Sequence, residues 1–128
     1  MTYYSSRTVA LPLERAQQRI EEELGREGFG ILSRIDVQRT FSDRLNVAFR
    51  PYRILGACHP ALAHRAIAAE DMGGLRLPCN VVVQERSDGR TEVAVVDPVA
   101  TMLAVDNVAL FNVAREVRHK LNAVISRL

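Results

Sequence analysis

The stretch that most narrows what this chain can fold into is NVVVQERSDGRTEVAVVDP, Asn80 to Pro98. Asp88-Gly89 lies between two runs rich in valine, and that dipeptide favours the positive φ that a tight hairpin requires. The two runs, 80–85 and 91–98, are therefore expected as antiparallel neighbours. The first run contains Val81, Val82 and Val83 without a polar break, a pattern expected of a strand buried on both faces. A central strand of that kind needs a layer on each side of its sheet.

The remaining segments supply one such layer. Thr2–Val9 carries β-branched and aromatic residues and predicts a strand, after which Pro12 stands in the first turn of a helix. Leu13, Ala16, Ile20 and Leu24 repeat at helical spacing, with Glu14, Arg15, Glu21, Glu22 and Glu23 on the other side and Gly28 and Gly30 as the stop. Phe29–Val37 predicts a second strand, and Val37, Phe41 and Leu45 a short helix. Arg50–Cys58 predicts a third strand, Pro60–Asp71 an alanine-rich helix opened by proline, and Gly73–Cys79 a loop. Asp106 can cap a final helix in which Val108, Phe111, Ala114, Val117, Leu121, Val124 and Leu128 form the apolar stripe.

Strands that are not regularly separated by crossover helices imply an α+β class, a two-layer sandwich with a mainly antiparallel sheet covered by helices. At 128 residues the chain fits one domain, 1–128, since single cores are commonest at roughly 100 to 150 residues. One helical layer leaves the second sheet face bare, and a second copy of the chain is the simplest cover, so a homodimer is expected.

Charge and cysteine usage restrict partners and compartment. The net charge of +2 comes from 17 basic and 15 acidic residues without a basic block, which argues against nucleic acid. No run approaches the ~18 apolar residues of a membrane helix, and the N-terminus lacks the pattern of a signal peptide, so no membrane and a cytoplasmic location are expected. In that compartment the two cysteines are expected as free thiols.

Those two cysteines bracket a phrase with a family resemblance. Tyr52, Ile54, Leu55, Gly56, Cys58 and Pro60, followed by Leu77, Pro78, Cys79, Asn80, Val81, Val82 and Val83, match the pattern Y-x-I-L-G-x-C-N-P and L-P-C-N-V-V-V. In this the chain resembles the bacterial and archaeal domain of unknown function 302 family. The resemblance implies a β-α-β-rich two-layer sandwich of the TATA-box-binding-protein-like kind, found as a homodimer, and assigns no activity. His59 is the departure, standing where the family usually carries asparagine.

The chemistry a chain like this can offer is concentrated at the same phrase. A thiol just ahead of a helix, as Cys58 is, lies near unpaired N–H groups that favour thiolate, and a protonated His59 would act in the same sense. If the strands ending at Cys58 and starting near Cys79 run antiparallel, both sulfurs reach one end of the sheet; if parallel, a strand length of roughly 20 Å separates them. A shared rim would suit a small ligand, a soft metal or haem iron, a persulfide, or a reversible bridge. Cys58, Cys79 and His59 are the metal candidates, an incomplete set beside the four paired ligands of structural zinc. Arg53, on the third strand, is a candidate for holding an anion, set against a solvated strand face.

Elsewhere the residues predict structure. His64 and His119 are expected as surface residues, and Asp36, Asp43, Asp88 and Asp97 as caps or turns. Gly-rich GREGFG follows a helix and precedes a strand, the reverse of a dinucleotide site. Three functions remain in view: a binding module that needs no turnover, a thiol redox enzyme in which Cys58 attacks and Cys79 resolves, and an interaction module whose thiols only pack.

Overall fold

The computed structural model describes residues 2–102 and 105–128. Five strands, β1 (Tyr4–Val9), β2 (Gly30–Asp36), β3 (Tyr52–Cys58), β4 (Cys79–Glu85) and β5 (Thr91–Val96), form one sheet in the order β1-β5-β4-β3-β2. Every neighbouring pair is antiparallel. Helices α1 (Leu13–Arg26), α3 (Pro60–Ala69) and α4 (Val108–Ser126) form the second layer, and the shorter α2 (Val37–Leu45) buries no residue. The fold is the expected α+β two-layer sandwich.

Strand alternation builds the core. Leu55 and Ala57 of β3, Val81 and Val83 of β4, and Val93 and Val95 of β5 point to the helical layer and are at most 1% exposed. They meet Ile20 and Leu24 of α1 and Leu121 and Val124 of α4, all fully buried. Thr91, buried at the start of β5, satisfies its hydroxyl by donating to the Leu11 carbonyl at 2.7 Å.

Several expectations shift at this level. Val82 is half-buried in the single chain because it points to the sheet face that α1, α3 and α4 leave open, the face for which a second copy is the expected cover. Pro12 is the N-cap of α1 rather than its first residue, and Asn107, not Asp106, caps α4 by accepting from the Leu110 amide at 3.0 Å. Residues 70 and 71 fall outside α3, and part of the expected loop is a 3₁₀ turn at Asp71–Arg76. Val108 and Phe111, counted on the apolar stripe of the last helix, are exposed.

Glu23, placed by spacing on the polar side of α1, is instead 4% exposed. Arg127 Nε donates to it at 2.6 Å and Arg26 at 2.8 Å, so the carboxylate is buried with its charge compensated. The Arg127 hydrogen bond holds its pKa below the ordinary carboxylate range. Arg127 also reaches Glu27 at 3.0 Å, and the cluster ties the end of the chain to α1.

Candidate functional site

The antiparallel pairing of β3 with β4 brings the two thiols to one rim of the sheet. Cys79 stands opposite Ala57, so Cys58 lies one residue beyond that pair. One residue is half a pleat, which turns Cys58 to the open face while Cys79 points beneath the helices. Both are free thiols, Cys58 half-buried and Cys79 7% exposed. Cβ vectors that leave opposite faces of a sheet oppose a direct bridge without backbone movement.

Burial is the first cause that raises the Cys79 pKa, to about 11, with the nearby Cys58 adding to the effect. Near neutral pH Cys79 is therefore a protonated, weakly polar side chain, poorly suited to attack or to bind metal as thiolate.

His59 has a structural task. Its Nδ1 accepts from the Leu62 amide at 3.3 Å, capping α3, with Pro60 next at the first helical position. The ring stands edge-on to Phe29, centroids 5.5 Å apart, and fits over Gly28. A Cβ on Gly28 would sit 2.8 Å from His59 Nε2, and its φ of +90° favours glycine independently. The asparagine expected from the resemblance would also be a strong cap, so the exchange to histidine keeps the same local role.

Arg53 is committed as well. Alternation sends it under the helical layer, where it donates to Glu14 at 2.5 Å and Gln17 at 2.7 Å of α1. It is a strut between sheet and helix rather than a free anion holder. Among the described residues, no three His, Cys, Asp or Glu side chains converge as a metal site.

The Leu77-Pro78-Cys79 corner instead borders a cavity of about 360 Å³. It opens between the 3₁₀ turn 71–76, the start of β4, a second 3₁₀ turn at Ala100–Met102, and α4. Leu77, Met102, Leu110, Val113 and Val117 form an apolar wall, with the Cys79 thiol among them. Among the described residues lining it, Arg76 alone carries a charge. Its Nη1 donates to the Thr101 carbonyl, linking the two 3₁₀ turns.

A smaller void of about 30 Å³ is bordered by Phe29, His59, Leu62, Cys79 and Val117. The structure thus brings His59 and Cys79 to a common void, leaves Cys58 outside both spaces, and occupies Arg53 elsewhere. Arg76 and the α4 wall were not singled out by spacing. The one available signal is a single charge within the apolar phrase GGLRLPC.

The sequence profile described as "Domain of unknown function DUF302" matches residues 5–128, nearly the whole chain. The chain belongs to the DUF302 family. The crystal structure of an uncharacterised conserved DUF302 protein from Bacillus stearothermophilus superposes with a TM-score of 0.91 at 26% identity. The match covers 99% of this chain and 98% of that one. No curated protein matches the sequence. DUF302 membership therefore agrees with the sandwich and the double-cysteine phrase, and brings no reaction with it.

His64 and His119 are exposed on α3 and α4. Asp36 caps α2 by accepting from the Arg39 amide, Asp88 accepts from the Arg90 amide in the hairpin turn, and Asp97 accepts from the Val99 and Ala100 amides. Asp43, an exposed helical residue, pairs with Arg39 at 3.7 Å instead of serving a cap or turn. None of the described helices is long and apolar enough to cross a membrane.

Proposed function

We propose that this protein is a binding module that holds a small, mainly apolar ligand in the cavity beside Cys79, without a need for turnover. The observation that carries the reading is the 360 Å³ cavity walled by aliphatic side chains, with a thiol held neutral by burial. Ligand sites are commonly apolar concavities of this order with a few polar groups that orient the guest. A soft metal, haem iron or persulfide at Cys79 calls for thiolate, which a pKa near 11 opposes. The reducing cytoplasm is the compartment we assign, since it keeps both thiols free.

The active form in this reading is a homodimer. The uncovered sheet face presents Tyr4 and Ile35, exposed, with Tyr52, Ile54, Val82, Ala94 and Val96 half-buried around them. Phe41 of α2 stacks edge-on with Phe49, and Phe49 with Tyr52, extending that apolar surface. A second copy applied to the same face would form an isologous contact and cover the bare side of the valine strands.

Two measurements test the proposal. Nile red, a neutral polarity-sensitive dye, is expected to brighten and shift on mixing with the protein, and Val113→Trp, which fills the cavity, is expected to abolish this while circular dichroism stays unchanged. Absence of dye binding by the parent protein overturns the ligand reading. Sedimentation equilibrium is expected to give twice the chain mass, and half of that for Val82→Arg; a monomeric parent protein overturns the dimer.

A further inference from the structure

We infer that the ligand is a monoanionic amphiphile, a medium-chain carboxylate, with its tail along α4 and its head on Arg76. The inference rests on the binding reading above and specifies the class of guest. The cavity wall divides by chemistry. Leu110, Val113 and Val117 present one aliphatic side of α4, and Leu77 and Met102 continue it. A guest filling that space gains affinity from apolar contact and needs few polar atoms there.

The polar side chains of the described lining are Arg76, Asn80 and Thr101. Arg76 is the single charged residue among the described lining, and no carboxylate of that lining accompanies it. One of its N–H groups is used on the Thr101 carbonyl, and the guanidinium carries five, so donors remain for a bidentate acceptor. A cation would meet Arg76 with like charge, and a neutral alcohol would use only part of its donor fork.

The cavity, about 360 Å³, lies at the small end of the range common for ligand sites. Decanoate is a probe of that class, with a carboxylate at one end and no branching to clash with the wall.

Displacement of Nile red by decanoate, decanol and decylamine tests the assignment. Decanoate is expected to displace the dye at least about tenfold better than decanol, the factor equivalent to ~1.4 kcal/mol, and decylamine worst. Arg76→Gln is expected to erase the preference for decanoate, read as the ratio of decanoate to decanol displacement in that variant, and Arg76→Lys to restore part of it. Equal displacement by decanoate and decanol, or a preference unchanged in Arg76→Gln, overturns the carboxylate assignment and leaves the apolar cavity reading intact. A parent protein that takes up no dye overturns both.

Discussion

The two faces of this sheet are made by the same strands yet meet different surroundings. On the helical side Leu55, Val81, Val83 and Val93 are fully buried; on the other, Ile54, Val82 and Ala94 from the same strands stay partly exposed. Each strand alternates, so the difference arises not from composition but from which face α1, α3 and α4 cover. The thiols divide in the same way. Cys79 takes the covered side and holds its proton to about pH 11, whereas Cys58, one register step away, is half-buried on the open side. Neighbours in register can thus have unlike chemistry, and a site on one face is not a site on the other.

The largest effect expected from this contrast concerns packing. Leu55→Ala is expected to cost about 2 to 5 kcal/mol in chemical denaturation, since it opens a hole among fully buried side chains. Ile54→Ala, one residue away on the open face, is expected to cost less than half as much at protein concentrations too low for association. Equal costs would break the contrast between the faces.

The thiols sharpen it next. Raised from 9.0 to about 11, the Cys79 pKa leaves about a hundredfold less thiolate than an ordinary thiol at a given neutral pH. Iodoacetamide labelling followed by mass spectrometry is therefore expected to modify Cys58 first. An unfolded Cys79 ionises near pH 9 while the folded one keeps its proton. That contribution to stability is present below pH 9 and is lost as pH rises through about 11. Urea midpoints of the parent protein are expected to fall across this alkaline window more steeply than those of Cys79→Ala.

A smaller effect lies at the cap. His59→Ala is expected to cost about 1 kcal/mol through loss of the Nδ1 acceptor at α3, and His59→Asn to recover most of it. If His59→Asn is no better than alanine, the histidine serves something other than the cap. The last expectation involves acid. Arginine partners lower the pKa of Glu14, Glu21 and Glu23, so their contribution is present above the unfolded value of ~4.3 and fades as pH falls through the folded ones. Thermal melts below pH 4 are expected to shift downward, and less so for Glu23→Gln.

Much of this molecule was readable from local pattern. Asp88-Gly89 announced the hairpin, the heptad-like recurrence of Leu13, Ala16, Ile20 and Leu24 announced α1, and Pro60 marked the start of α3. Each rests on short-range physics: turn φ, helical periodicity, a missing amide hydrogen. Three consecutive valines say that a strand is apolar without saying which face the chain's own helices cover, and Val82 takes the face they leave open. Glu23 misled because one of its two arginine partners, Arg127, lies 104 residues away.

For the candidate site the same division holds. The sequence by itself singled out the phrase from Cys58 to Asn80 and, through Asp88-Gly89, one strand pairing, because those signals are carried by adjacent residues. Only the tertiary structure decided that the thiols part to opposite faces, that His59 caps, that Arg53 braces α1, and that Arg76 meets α4 residues across a cavity. Those outcomes depend on strand register and on the docking of helices distant in sequence, and both are fixed by the packing of the whole core rather than by any local preference.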